Sequence, residues 1–261
     1  MENASKALIM AAGVLVSLII VGALVLTYNN LSSYQKVGQQ NTKEAQVVEF
    51  NNQYETFNRN NVRGSDLYSL LNRVVDYNRR KSTKGTGDDK GQYLAYEPMT
   101  ITFDLNGKLS EFYVNETATS VDHIIKTDKY IQSGTKNEFE NGIHQKVKDL
   151  ETEYGADSLT NLTTGMTKIF ITSSEASNEK KKQEAIANFN SASKKMHIND
   201  WNQIKEGSKI RKDVYCYYEY VQFKRARFNC EGNSINATNV KYNEKTGRIV
   251  EMNFKFTGKF E

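Results

Sequence analysis

Residues with the types and spacing for acid-base, metal or nucleophilic chemistry are few in this chain of 261 residues. Its three histidines, His123, His144 and His197, are far apart and form no metal-ligand or catalytic spacing. The sequence has no Gly-x-Ser-x-Gly turn and no nucleotide-binding fingerprint, and the glycines of 85–87 belong to no phosphate-loop pattern. We therefore expect no enzyme activity, no cofactor, no metal and no small-molecule substrate.

The two cysteines are the one pair of reactive groups that the sequence pattern brings together. Residues 213–223 and 225–230 read as two antiparallel strands that turn near Phe223. This register places Cys216 opposite Cys230 and predicts a disulfide worth about 2–4 kcal/mol in an oxidising compartment. The alternative is a reduced and buried pair, because cysteine is also a small hydrophobic residue.

The same predicted hairpin carries basic and aromatic residues that could bind an anionic surface polymer or a partner protein: Tyr217, Lys224, Arg225 and Arg227. The alternative is a solvated hairpin tip without a partner. A net charge of +4 is modest for a dedicated nucleic-acid binder, so nucleic acid is not an expected partner.

An apolar stretch over residues 7–26 is the strongest regional signal. It contains no charged residue, and about 20 helical residues match a hydrocarbon core of roughly 30 Å. We predict a transmembrane anchor over residues 1–27, with membrane lipid as its partner. The alternative, a cleavable signal peptide, has a shorter apolar region after a basic segment, whereas here Glu2 and Lys6 nearly cancel.

The orientation of the anchor follows from several weaker features. Lys6 lies on one side of the span, and Lys36 and Lys43 lie on the other, so positive charge barely favours either direction. The long polar chain after the span, the short N-terminal tail and the predicted disulfide all favour an inside N-terminus. We therefore predict a cell membrane location with the C-terminal domain extracytoplasmic.

Two pairs of small residues spaced four apart lie in the span: Ala7 with Ala11, and Gly13 with Ser17. Such pairs let a second helix approach closely and predict a homo-oligomer or assembly with similar subunits. The alternative is that small residues are simply common in membrane helices.

The polar chain after the span predicts a stalk and then a head. Val47, Phe50, Tyr54 and Phe57 recur at helical spacing, which predicts an amphipathic stalk helix over residues 28–60. A second helix is predicted over residues 66–79, followed by a polar loop over 82–91.

Alternating apolar residues predict two hairpins in an extracytoplasmic domain over residues 61–261. The first pairs residues 99–105 with 108–114 through an Asn-Gly turn, and the second joins 240–242 to the alternating stretch 250–256. Between them we predict a helical insertion over about 117–205, with helices at 139–154 and 175–196 and a short strand at 168–172. The predicted class is α+β: a long N-terminal helix, a further helix and an antiparallel sheet.

This order of elements resembles that of type IV pilins and pseudopilins, best over residues 1–60. The opening MENASKAL and the stretch FNNQYETFNRNNVRGSDLYSLLNRVVDYN also resemble membrane-anchored proteins of Gram-positive bacteria. The resemblance implies a structural or assembly role, in which helices pack together and a head is exposed at the surface. A membrane-tethered binding module is the alternative function.

Overall fold

The computed structural model describes residues 2–83, 97–114, 121–198, 200–230 and 240–261. They divide into two units, one with the described residues up to Phe50 and one with those from Asn51 onward. The predicted α+β class is confirmed. The α-helices are α1 (Glu2–Glu55), α2 (Gly64–Thr83), α3 (Gln145–Tyr154), α4 (Ala156–Thr164), α5 (Met166–Ile169), α6 (Ser173–Ala176), α7 (Glu179–Ala192) and α8 (Lys209–Arg225). The strands are β1 (Val62–Arg63), β2 (Thr100–Asp104), β3 (Lys129–Gln132), β4 (Ala226–Asn229), β5 (Val240–Tyr242) and β6 (Ile249–Phe260).

The described part of the first unit is α1 up to Phe50. Helix α1 is continuous through the predicted anchor and ends at Glu55, five residues before the predicted end of the stalk. Its segment Asn3–Ser32 is the one helical segment, among the described residues, that is long and apolar enough to cross a membrane, and none of it is buried. The Ser17 hydroxyl donates to the Gly13 carbonyl at 2.7 Å, so this polar group is satisfied inside the helix. A Cβ at Gly13 would have no atom within 4 Å, so the backbone there is open to an approaching helix.

The last turn of α1 belongs to the second unit and is fastened there by Asn51. Its side-chain amide donates to the Gly247 carbonyl at 2.9 Å, and its side-chain oxygen accepts from the Ile249 N–H at 2.9 Å. Tyr54, one residue of the predicted stripe, is fully buried. The end of the stalk helix is therefore held at the turn between β5 and β6.

Helix α2 confirms the second predicted helix and is slightly longer than predicted. Its apolar face is buried in the core and consists of Leu67, Leu70, Leu71, Val74 and Val75. Its first residue, Gly64, lies so close to α8 that an added Cβ would be 1.6 Å from the Phe223 carbonyl oxygen. Glycine is required here by backbone packing and not only by the turn. Most of the predicted loop over 82–91 lies outside the described residues.

The head contains one mixed sheet in the order β1-β4-β6-β2-β3, with β5 also paired to β6. The prediction of an antiparallel sheet is wrong at its centre, where β2 and β6 run parallel and Phe103 pairs with Phe254. Both side chains are buried, whereas Asp104 and Lys255, next along the same strands, point to the opposite face. The predicted C-terminal hairpin of β5 and β6 is confirmed.

The first predicted hairpin is wrong in its second half. Asn106 and Gly107 do adopt the positive φ angles of the predicted turn, at 60° and 71°. However, the chain continues as a 3₁₀ helix, Leu109–Phe112, and not as a strand. Phe112 is thereby buried against Phe256, and β2 pairs instead with β3 and β6.

The predicted hairpin that carries the two cysteines, over residues 213–230, is also wrong because its first half is helix α8. This helix begins at Ser208, whose side chain accepts a hydrogen bond from the Arg211 N–H at 3.3 Å. It packs against α2, α3 and α4, so buried residues occupy most of its circumference and no single helical stripe is visible in the sequence. Tyrosine favours strands, so the tyrosine-rich sequence of this helix led to the prediction of a strand.

The predicted disulfide is wrong for the same reason. Cys216 lies within α8 and Cys230 directly follows β4, and both thiols are free and buried. The hairpin register that would place them opposite each other does not exist. The alternative of reduced, buried cysteines describes this structure.

The region predicted as a helical insertion is helical over most of its described part. The helix predicted at 139–154 is present as a π-helix, Phe139–His144, followed by α3, and the charged stretch 175–196 contains α7. The strand predicted at 168–172 is wrong, since α5 covers its first residues. Strand β3 lies inside this region and joins the central sheet.

The edge strand β3 has backbone groups that bond to side chains of the same chain. The Ile131 N–H donates to the Glu138 carboxylate at 2.8 Å, and the Lys129 carbonyl accepts from the Thr127 hydroxyl at 2.9 Å. These groups are therefore already occupied at the edge of the sheet.

Replacing Asn51 with alanine should lower the free energy of unfolding by about 1–3 kcal/mol, because it removes two hydrogen bonds to the β5–β6 turn. Urea unfolding of the detergent-solubilised protein, followed by fluorescence, measures the change. Gln53→Ala is the matched control, because this exposed side chain lies two residues further along the same helix and should change stability by less than about 0.5 kcal/mol. Equal effects of both variants would contradict the role given to Asn51.

Candidate functional site

The head contains a cleft of about 480 Å³ between the segment after residue 121 and the π-helix. We call it the His123 cleft. Its ionisable lining residues are Asp122, His123, Lys126, Lys129, Glu138 and Lys146. None of these residues belongs to the site predicted from the sequence, although His123 was recognised as a lone histidine.

A buried carboxylate on α8 orients one wall of the cleft. Glu219 is 1% exposed, and its Oε1 is hydrogen bonded to His123 Nδ1. Its Oε2 accepts from the N–H groups of Ile124 and Ile125, at 2.9 and 3.1 Å. Burial raises the pKa of the Glu219 carboxyl, while these hydrogen bonds favour its charged form and oppose the rise.

Two further contacts hold the same segment. The Cys216 thiol, one helical turn before Glu219, donates to the Asp122 carbonyl at 3.0 Å. Tyr113 stacks on the His123 ring with the ring centroids 3.8 Å apart, and its hydroxyl donates to the Ile125 carbonyl at 2.7 Å. The wall formed by residues 122–125 is thus fixed by hydrogen bonds and ring stacking on helix α8 and Tyr113.

The lysines give the cleft its positive charge. Lys126 pairs with Asp122 at 2.8 Å, and Lys146 approaches the other oxygen of Asp122 at 3.5 Å. The hydrogen bond from Lys126 holds the pKa of the Asp122 carboxyl below its usual range. Lys129 is exposed, pairs with Asp104 in the β2–β3 ladder and also acts electrostatically on Glu251. One carboxylate, Asp122, therefore pairs with two of the three ammonium groups of the cleft.

The opposite wall is the π-helix Phe139–His144, which contributes Asn141 and Gly142 to the lining. A π-helical turn widens the backbone by one residue and is frequent at functional sites. Phe139 and Ile143 anchor this turn in the core. Glu138, just before it, accepts from the Ile131 N–H and so ties the wall to β3.

Two side chains that could act as nucleophiles lie at or behind the cleft, Thr127 and Cys216. The Thr127 hydroxyl is engaged by the Lys129 carbonyl, and burial raises the pKa of the Cys216 thiol to about 12, so neither group is an activated nucleophile. Among the described residues, no group of three His, Cys, Asp or Glu side chains is placed to hold a metal ion. The cleft offers fixed positive charge beside a rigid wall.

The basic and aromatic residues predicted to bind a partner do not form one exposed surface. Tyr217 is 1% exposed, and its hydroxyl donates to Glu151 at 2.9 Å. Lys224 lies over the ring of Tyr220, with Nζ 4.5 Å from the ring centroid. Tyr217 is thus part of the core.

The two predicted arginines bind within the chain. Arg225 Nε donates to the Glu261 carbonyl, and Arg227, of which 12% of the side chain is exposed, pairs with the Glu261 carboxylate. Arg227 also donates to the Asn61 carbonyl at 3.3 Å. These residues tie the end of β6 and the segment before β1 to β4, and the binding role predicted for them stays a prediction.

The remaining two histidines are also placed. His144 contacts the Tyr68 hydroxyl through Nδ1 at 3.0 Å, and burial is the main cause that lowers the pKa of its imidazole. His197 is exposed. Neither lines the His123 cleft, so the three histidines are separate in the structure as the sequence indicated.

Sequence reasoning missed Glu219 and its partner His123. One signal was present: Glu219 is the single acidic residue within the aromatic stretch 215–223. A carboxylate among core residues needs a hydrogen-bonding or charged partner, which was a reason to look for one. The sequence could not identify this partner, because His123 is 96 positions away.

No family model, curated protein or solved structure matches this chain. The assignment of the site consequently depends on its geometry.

Replacing Glu219 with alanine should lower the free energy of unfolding by about 2–4 kcal/mol, because His123 and two backbone N–H groups lose their acceptor. Glu219→Gln keeps an acceptor oxygen and should cost less. Urea unfolding followed by the fluorescence of the single tryptophan, Trp201, measures both. Glu244→Ala removes an exposed carboxylate and is the control. A Glu219→Ala variant as stable as the control would contradict the stabilising role given to Glu219.

Proposed function

We propose that this protein is a single-pass membrane protein in which α1 is the anchor and the α+β head acts outside the membrane in a pilin-like structural or assembly role. The observation that carries the proposal is the distribution of exposed apolar side chains. Among the described residues, all large exposed apolar side chains lie between Leu8 and Leu31, except Val48 and Tyr242. A continuous apolar surface of this length marks a lipid or protein interface.

An extracytoplasmic head is part of the proposal. The order of elements, an apolar helix that continues into a polar helical stretch before an α+β unit, resembles that of pilin-like proteins and supports this orientation. Because both cysteines are free, a disulfide no longer contributes to the argument. Topology is therefore the property to be measured directly.

We expect the protein to stay with membranes after alkaline carbonate washing and its head to be digested when intact cells are treated with protease. Leu18→Lys with Ile19→Lys should move the protein to the soluble fraction, since each lysine at the centre of a membrane helix costs about 2.5–3.5 kcal/mol. Leu18→Ala with Ile19→Ala is the matched control and should stay in the membrane.

A wild-type protein released by carbonate washing would contradict the anchor. A head protected in intact cells but digested after lysis would contradict the orientation alone. The two parts of the proposal are thus tested separately.

Assembly through the anchor is the second part of the role. At 100° per residue, Ala7 with Ala11 and Gly13 with Ser17 lie on faces about 120° apart. Each helix would therefore offer two different contact faces, which suits an extended array of subunits better than a closed pair. Since the Ser17 hydroxyl already bonds to Gly13, its contribution to packing is its small size.

Gly13→Ile with Ser17→Ile should reduce crosslinked oligomers in membranes about fivefold, because larger side chains prevent close approach at a cost of roughly 1 kcal/mol. Val16→Leu with Ile19→Leu is the control, because it conserves bulk outside both faces. The measurement is chemical crosslinking at equal expression. Oligomer yields that do not change in the Gly13 and Ser17 variant would contradict assembly through this face.

A further inference from the structure

The His123 cleft has features that a mere gap between packed elements does not require. Three lysines line it, while one of its two lining carboxylates, Asp122, already pairs with two of them. The other carboxylate, Glu138, accepts the Ile131 N–H. Three lysines against two carboxylates leave the lining with one net positive charge.

Two structural features at the walls of the cleft are energetically unfavourable by themselves. A carboxylate that is 1% exposed, Glu219, is placed behind one wall, although burying a charged group is unfavourable unless it is well bonded. A π-helical turn forms the other wall in place of a regular α-helical turn. Both features position backbone and side chains at the same cleft, which indicates a binding site.

We propose that the His123 cleft binds the phosphate group of a ligand, with Lys126, Lys129 and Lys146 supplying the positive charge. Glu219 and Cys216 act as positioning residues that hold the wall of residues 122–125. This inference goes beyond the proposed anchoring role and does not depend on it.

The side chains favour phosphate over other anions and over cations. Lysine ammonium groups act as point charges that can surround a tetrahedral anion, whereas the arginine fork binds carboxylates and phosphates alike. The lining contains lysines and no arginine. A cation is disfavoured, because Asp122 is already neutralised by Lys126 and Lys146.

The size of the cleft indicates more than a bare phosphate ion. Its volume of about 480 Å³ lies within the range of small-ligand sites, about 300–1,000 Å³. Ile124 and Tyr130 add apolar surface beside the lysines. The ligand class is therefore a phosphate ester, whose phosphate meets the lysines and whose organic part covers the apolar lining.

The test measures the affinity of the full-length protein, in a neutral detergent, for inorganic phosphate and for glycerol 3-phosphate. A bound ligand stabilises the folded state according to its concentration and dissociation constant, so the unfolding midpoint reports affinity. Chloride keeps the ionic strength constant. Because phosphate also stabilises proteins without specific binding, the comparison between variants carries the result.

Lys129→Gln and Lys146→Gln should each weaken phosphate affinity about tenfold, because each removes one charge-assisted hydrogen bond. Lys180→Gln, on the exposed face of α7, removes the same charge elsewhere and should leave affinity unchanged. All three side chains are outside the core, so the variants should fold. Circular dichroism verifies this.

Two results would overturn the proposal. In the first, phosphate raises the unfolding midpoint of the wild-type protein no more than that of the Lys129→Gln and Lys146→Gln variants. In the second, the Lys180→Gln variant loses as much phosphate affinity as these two. Competition then separates the sources of the phosphate group. Displacement by glycerol 3-phosphate indicates a soluble ester or polymer unit, and displacement only by phosphatidylglycerol in mixed micelles indicates a lipid headgroup.

Discussion

Helix α8 is the constraint on which the head depends, because it is buried on most of its circumference. It packs against α2, α3 and α4, and its end reaches the aromatic core, where Phe223 contacts Phe103 and Phe228. The backbone of α2 lies against it so closely at Gly64 that no side chain fits between them. From its middle, Glu219 fixes the wall of the cleft. A single helix therefore links the core to the candidate site.

The elements that the sequence predicted correctly have one clear environment each. The first part of helix α1 is uniformly apolar. Helix α2 has one buried face, so the apolar residues of α2 follow the helical period. Strand β6 alternates in its middle because one of its faces is buried and the other carries polar side chains. In each case local sequence and tertiary environment favour the same structure.

The errors occur where tertiary contacts override the local pattern. Helix α8 is enclosed by several partners, so its sequence shows no stripe, and its tyrosines favour strands when considered alone. The Asn106-Gly107 turn formed as predicted, but the partners of β2 come from residues far along the chain. Only the three-dimensional packing determines which strand fills each side of β2.

The candidate site was the least predictable part for a related reason. His123 and Glu219 become partners through folding, and the lysines of the cleft are spread over 21 residues between Lys126 and Lys146. Each of them resembles an ordinary surface residue in the sequence. The charge of the cleft is a property of the assembled head and not of any local segment.

The side-chain bonds along β3 have a consequence for how the head meets neighbouring molecules. An open strand edge recruits strands from neighbouring molecules, and the risk of amyloid-like stacking grows with crowding. Here the Glu138 carboxylate occupies the Ile131 N–H and Thr127 occupies the Lys129 carbonyl, so these positions cannot template a foreign strand. These side chains thereby protect this edge of the sheet against strand addition from another molecule.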